Sequence, residues 1–174
     1  MMSRISNFFT DSGRVLVNPD DFLFSKSQEK DYNGIISLLF YNFILALLIG
    51  ITTLNPVLTI TLILVFMVGS LLINLVRSVI AFIFAKLFGG NGGLISTFNL
   101  ISYSSVLNIL LYIGFTLTFF DKLAIIPMII LVFLWKMVIE VTAVSEEHNI
   151  GYAKAFLSTY GIYLIILVII MGLI

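Results

Sequence analysis

Residues 56–88 read PVLTITLILVFMVGSLLINLVRSVIAFIFAKLF, and only Arg77 and Lys86 bring charge into the stretch. A helix crossing the hydrocarbon core of a bilayer needs about 20 apolar residues. An unpaired backbone N–H or C=O in lipid costs several kcal/mol, so a run of this kind closes its own hydrogen bonds as a helix. The run exceeds the length required, which predicts a helix that tilts or projects a turn or two beyond the membrane. Four similar runs accompany it, so that five lie at about 33–54, 57–84, 94–120, 123–143 and 153–174. The fold class expected is all-α. It is an integral membrane bundle of five transmembrane helices over residues 33–174, behind a short amphipathic segment at 1–32.

Composition points the same way. Of 174 residues, 60% are hydrophobic and 10% charged, and the mean hydropathy is +1.17. A soluble domain carries about 25% charged residues, which excludes a soluble core. The strands of a transmembrane barrel would alternate apolar and polar residues, and these runs do not. A net charge of zero gives no electrostatic footprint for nucleic acid. The absence of cysteine removes disulfides, thiol catalysis and sulfur-ligated metals. The first apolar run follows a mixed-charge segment containing Asp11, Asp20, Asp21, Glu29 and Asp31. No signal peptide is therefore expected, and the first membrane helix acts as its own insertion signal.

Within residues 2–12, Ile5, Phe8 and Phe9 recur at helical spacing, which predicts a short interfacial helix. Asn18-Pro19-Asp20-Asp21 reads as a helix start. Asn18 can cap, Pro19 suits the first helical position, and the carboxylates favour the positive end of the dipole. The helix that follows carries Phe22, Leu23, Phe24, Lys26, Glu29 and Lys30. It is expected to lie along the cytoplasmic face until the chain turns in at Tyr32-Asn33-Gly34.

Charge inside a membrane is costly and marks a role. Three residues qualify: Arg77, Lys136 and Glu140. Lys136 and Glu140 are i and i+4 on one helix face, and Arg77 reaches a similar depth, so a network Arg77–Glu140–Lys136 is expected. Polar stripes extend it. They are Ser70 and Asn74 on the second run, Asn99, Ser102, Ser105 and Asn108 on the third, Ser37, Tyr41 and Asn42 on the first, and Ser158 and Thr159 on the fifth. Nearly all fall in the cytoplasmic half. That asymmetry predicts a polar vestibule open to the cytoplasm and sealed outside by apolar residues, whereas a through-pathway needs polar groups along its whole length. No helix reads as broken at mid-membrane and no inverted repeat is visible, which argues against a secondary transporter.

Catalytic patterns are missing. The one histidine, His148, sits in Ser145-Glu146-Glu147-His148-Asn149, read as a solvated loop because adjacent loop residues rarely converge on one metal. There is no His-Glu-x-x-His, no aspartate inside a helix, and no second histidine for a prenyl-endopeptidase or rhomboid-type site. The glycine run Gly89-Gly90-Asn91-Gly92-Gly93 lacks the strand and the Lys-Ser/Thr of a phosphate loop and is read as a flexible connection. Neither catalysis, nor a cofactor, nor a metal is expected.

Taken in order, these features resemble the Yip1-domain family of small five-helix membrane proteins. The likeness rests on Asn18-Pro19-Asp20-Asp21-Phe22, on Gly89–Gly93 opening the third helix, on Tyr103-Ser104 within it, and on His148 leading to Lys154-Ala155. The proline that the family usually carries after that tyrosine is replaced by Ser105-Val106-Leu107, and Asp-Leu-Tyr-Gly-Pro and Gly-Tyr-x-x-Gly-x-Leu are absent. The resemblance implies membrane organisation or recruitment of lipids or partners. Eukaryotic relatives bind small GTPases and serve vesicle trafficking, which is not carried over without their motifs. The short tail and compact loops look more like prokaryotic members, and a prokaryotic cell membrane is the location expected. Contact residues expected on the cytoplasmic face are Phe8, Phe9, Phe22, Glu146, Glu147 and His148. Membrane lipids, a cytoplasmic protein and a second copy of the chain are the partners this reading allows, and nucleic acid is not among them. The alternative is a small-solute or ion transporter or channel subunit using Arg77, Lys136 and Glu140.

Basic residues set the orientation. Arg4, Arg14, Lys26, Lys30, Lys86 and Lys154 fall on one side of the bundle, and Lys122 beside Asp121 faces the other. The positive-inside bias then places the N-terminus in the cytoplasm and the C-terminus outside. A reporter fused after Ile174 is expected to be active only on the external side, and cytoplasmic activity there would overturn the topology.

Overall fold

The computed structural model describes residues 2–29 and 31–173. Lys30 and the side chains of Arg4 and Ile5, used in the charge and periodicity arguments above, lie outside the described residues. The ordered elements are α1 (Met2–Val17), α2 (Pro19–Gln28), α3 (Asn33–Thr52), α4 (Pro56–Leu87), α5 (Leu94–Ser102), α6 (Asn108–Leu117), α7 (Ile125–His148) and α8 (Tyr152–Leu173). Short 3-10 segments occupy Tyr103–Leu107 and Lys122–Ala124. Five spans are long and apolar enough to cross a membrane: Asn33–Thr52, Pro56–Leu87, Leu94–Leu117, Lys122–His148 and Tyr152–Gly172.

Local chemistry explains the helix starts. Asn55 caps α4, its side-chain oxygen accepting from the N–H groups of Val57 at 3.0 Å and Leu58 at 3.2 Å, with Pro56 in the first turn. Asn18, expected to cap α2, does not. Its amide donates to the Asp21 carboxylate at 2.5 Å, and no side-chain cap bond forms.

The third span corrects the expectation of unbroken helices. α5 and α6 are separated by the 3-10 turn Tyr103–Leu107, all of whose residues are buried. Ser102 donates to the Phe98 carbonyl and Ser105 to the Ser102 carbonyl, each at 2.7 Å. Hydroxyls that bond back onto the preceding turn compete with the helical ladder, so the change of winding arises here without a proline.

The N-terminal helices contribute buried residues to the core of the bundle. Val15 of α1 and Phe22 and Leu23 of α2 are fully buried and share one hydrophobic core with Tyr103, Leu107, Ile139 and Val144. Phe22 packs edge-on against Tyr103, ring centroids 5.0 Å apart, and Phe8 packs on Phe40 and Tyr41. α2 lies against α7, and α1 against the 3-10 turn of the third span. Together they close one end of the bundle, called here the proximal end. At the opposite, distal end the first half of α4 and the second half of α8 present Ile60, Leu64, Ile165, Leu167 and Ile169 outward. Such a face is stable against lipid tails and not against water.

Glycine permits the closest helix approach. A Cβ built on Gly34 at the start of α3 would sit 1.9 Å from the Asn99 carbonyl oxygen of α5, whereas one on Gly69 of α4 meets nothing within 4 Å. Gly34→Ala is therefore expected to lower the thermal unfolding temperature in detergent sharply, by about 3 kcal/mol of stability. Gly69→Ala is expected to be neutral or to stabilise by up to about 1 kcal/mol.

Candidate functional site

The most constrained group in the bundle is the carboxylate of Glu140, on α7 and 0% exposed. Three side chains from three other elements serve it. Arg77 of α4 pairs with its Oε2, Tyr160 of α8 donates to Oε2 at 2.5 Å, and Ser104 of the 3-10 turn donates to Oε1 at 3.1 Å. Arg77 Nη2 also lies 3.3 Å from the Tyr160 hydroxyl, and its guanidinium is 6.0 Å from the Tyr160 ring centroid. A carboxylate removed from water is tolerable only when its lone pairs are met by charge and by hydrogen bonds, and here both are present.

Lys136 does not join this network in the manner expected. No hydrogen bond or ion pair links it to Glu140 among the described residues. The carboxylate oxygens are already taken by donors from α4, α8 and the third span. Lys136 instead lines a 350 Å³ cavity with Arg77, Phe133, Tyr160 and Tyr163. Asn74 and Ser102 stay within their own helices, Asn74 donating to the Ser70 carbonyl at 3.0 Å and Ser102 to Phe98. Asn99 does cross between elements. It receives the Ile35 N–H and donates to Asp31, both at 3.2 Å. Asn108 donates to Asn42 at 3.1 Å, tying α6 to α3. Ser158 and Thr159 bond back to Lys154 and Ala155, each at 2.8 Å. Tyr160, their neighbour, is the Glu140 donor that sequence reasoning missed. Its signal was helical spacing: it stands one turn from Phe156 on the face of α8 that meets α4 and α7.

A second polar centre holds the N-terminal helices. Lys26 of α2 is buried and pairs with Asp11 at 3.3 Å, Glu29 at 2.7 Å and Asp31 at 3.0 Å. Burial works to lower the Lys26 pKa, but the hydrogen bonds and charge of these carboxylates outweigh it and raise the group above its ordinary value. The stability this ammonium contributes is present below the ordinary lysine pKa and is lost as pH rises through the folded value. Asp31 carries the link onward to Asn99, and Thr142 of α7 donates to Asp20 at 3.1 Å. At this end α1 and α2 cover the spans, with Asn99 bonded to Asp31 just beyond α2 and Thr142 to Asp20 within it.

The segment around His148 is also corrected. Residues 145–148 form the last turn of α7 and are not a solvated loop. His148 is 1% exposed, with Nε2 2.9 Å from the Thr97 hydroxyl. Glu147 accepts from the Gly93 N–H at 2.8 Å and the Ser96 hydroxyl at 2.5 Å. The glycine run is docked onto this helix end, since a Cβ on Gly90 would meet His148 at 2.8 Å and one on Gly92 the Glu147 carbonyl at 2.6 Å. Among the residues expected to contact partners, Phe22 and His148 are buried and Glu147 is engaged. Phe8 packs inward and Glu146 is half-buried, which leaves Phe9, 53% exposed, on the surface. No group of His, Cys, Asp and Glu able to hold a metal ion occurs among the described residues.

Residues 13–174 match the family model of the Yip1 domain. The chain belongs to the Yip1-domain family. It is a non-catalytic membrane family. No curated protein and no solved structure gives a significant match. The matched region begins near the end of α1 and takes in all of α2, so the Yip1 unit includes α2 and the last turn of α1 as well as the five spans. The stretches that carried the resemblance meet in pairs: Phe22 lies on Tyr103 and Gly90 on His148.

Removing the charge of Glu140 strands Arg77 in the interior. Glu140→Gln is expected to destabilise the bundle by about 3 kcal/mol, and Ser104→Ala by about 1 kcal/mol, in thermal unfolding in detergent. Equal effects of the two substitutions would contradict a charge-centred network.

Proposed function

We propose that this Yip1-domain protein is a non-enzymatic organiser of the membrane, acting on lipid through the cytoplasmic side of its bundle. One observation carries the reading. α1 and α2 pack onto the proximal end, with Phe8 against Phe40 and Tyr41 and Phe22 against Tyr103, so that end carries two helices that the distal end lacks. By the distribution of basic residues, the proximal end belongs to the cytoplasmic leaflet. A protein of that shape displaces more lipid in one leaflet than in the other, and Phe9 remains exposed there for acyl chains.

The polar interior supports organisation over transport. Many of its side chains are spent on one another: Arg77, Tyr160 and Ser104 on Glu140, Lys26 on Asp11 and Asp31, Asn108 on Asn42. The distal half offers threonines that bond to their own helix, such as Thr59 and Thr61, and no carboxylate within the spans. An ion or solute crossing that half would lose its hydration without replacement. Recruitment of a cytoplasmic protein is a weaker reading, because Phe22 and His148 are buried.

Reconstitution in zwitterionic liposomes tests the proposal. The mean vesicle diameter is expected to fall as the protein-to-lipid ratio rises, with ion and small-solute flux at the level of protein-free vesicles. Flux that a folded Glu140→Gln variant loses would replace this reading with a transporter.

A further inference from the structure

The cavity beside the Glu140 network holds more positive charge than it can neutralise. Arg77 and Lys136 both face it, and Glu140 is the carboxylate paired there, already bound to Arg77. Among the described residues neither the Lys136 ammonium nor the Tyr163 hydroxyl has a hydrogen-bond partner. Snorkelling does not relieve Lys136. It stands twelve residues before the end of α7, about 18 Å along the helix axis, and a four-carbon stem covers about a third of that. A cation that shares one carboxylate with a second cation in a low-dielectric setting calls for a further anion.

The walls define where the anion comes from. Phe133 is 58% exposed and Tyr163 44% exposed, and both belong to the outward faces of α7 and α8. The cavity thus opens sideways, to the surface bathed in acyl chains. Three donors converge on its volume: the Lys136 ammonium, the Tyr163 hydroxyl and the part of the Arg77 guanidinium not committed to Glu140 and Tyr160. A volume of 350 Å³ accommodates a small oxyanion head and the first carbons behind it.

We propose that this cavity binds the oxyanion head, phosphate or carboxylate, of a single anionic lipid entering from the bilayer between α7 and α8. Lys136 supplies the counter-charge, and Tyr163 and Arg77 orient the head. The inference rests on the lipid-organising reading in that it takes the α7–α8 face as lipid-exposed, and it deepens that reading by naming a lipid class.

The test uses the full chain in detergent with four probes: phosphatidylglycerol, oleate, phosphatidylcholine and inorganic phosphate. Thermal unfolding and native mass spectrometry are the readouts. Phosphatidylglycerol or oleate is expected to raise the unfolding temperature of the wild type by about 5 °C and to appear as one bound molecule per chain. Whichever of the two acts identifies the head as phosphate or carboxylate. Lys136→Met is expected to weaken that binding at least about tenfold. The same variant should unfold at or above the wild-type temperature without lipid, since it removes an unpaired charge. Lys136→Arg should restore binding, and Tyr163→Phe, which keeps the ring, should weaken it. An equal shift with phosphatidylcholine would overturn the role of charge, and an equal shift with inorganic phosphate would overturn entry from lipid. Binding unchanged in Lys136→Met, or no binding by either anionic lipid, would overturn the site itself. None of these results bears on the vesicle experiment, which contains zwitterionic lipid alone.

Discussion

Glu140 is the group around which the membrane bundle is arranged. In lipid, the hydrophobic effect gives helices little reason to prefer one another to acyl chains, and association depends on packing and polar contacts. A buried carboxylate converts that weak preference into a geometric requirement. Its oxygens need donors, and the donors here come from α4, from α8 and from the 3-10 turn between α5 and α6. Each of these elements is fixed in rotation and height by the need to present one side chain at one point. The 3-10 turn belongs to the same requirement, since it brings Ser104 to the carboxylate while Tyr103 packs on α2.

A second consequence runs to the N-terminal helices. Their apolar residues complete the core that the spans begin, and their charged residues complete the polar bonding of α5 and α7 through Asp31–Asn99 and Asp20–Thr142. Residues that look like a soluble lead-in are thus part of the folded unit, in agreement with a family match that starts at residue 13. The proximal end is covered by α1 and α2, and the distal end presents apolar side chains outward.

The motif residues of the family gain a physical meaning in this arrangement. Gly90 and Gly92 are needed because the helix end bearing Glu147 and His148 lies within a Cβ's distance of the loop backbone. His148 fits as a buried neighbour of Thr97. Phe22 and Tyr103, far apart in the chain, are two halves of one aromatic contact. What reads along the sequence as a set of loosely spaced signatures is a set of mutual contacts at one end of the molecule.

Five spans, their approximate limits and the cost of Arg77, Lys136 and Glu140 inside them were legible in the sequence, because hydropathy and backbone satisfaction are properties of each segment taken alone. The nearness of Arg77 and Glu140 in depth was legible too, from helical rise. Which donors Glu140 would take was not: Tyr160 and Ser104 displace Lys136 through helix rotation and packing, which no single segment encodes. The same holds for the N-terminal helices. Phe22 and Leu23 read equally well as interfacial or core residues, and only the presence of Tyr103 and α7 beside them decided for the core. Residues 145–148 read as a polar loop because four polar side chains in succession favour water, yet contacts from Gly93, Ser96 and Thr97 satisfy three of their groups and let α7 run on to His148. Segment-level free energy thus determined the elements, and contacts between distant residues decided their pairing and their ends.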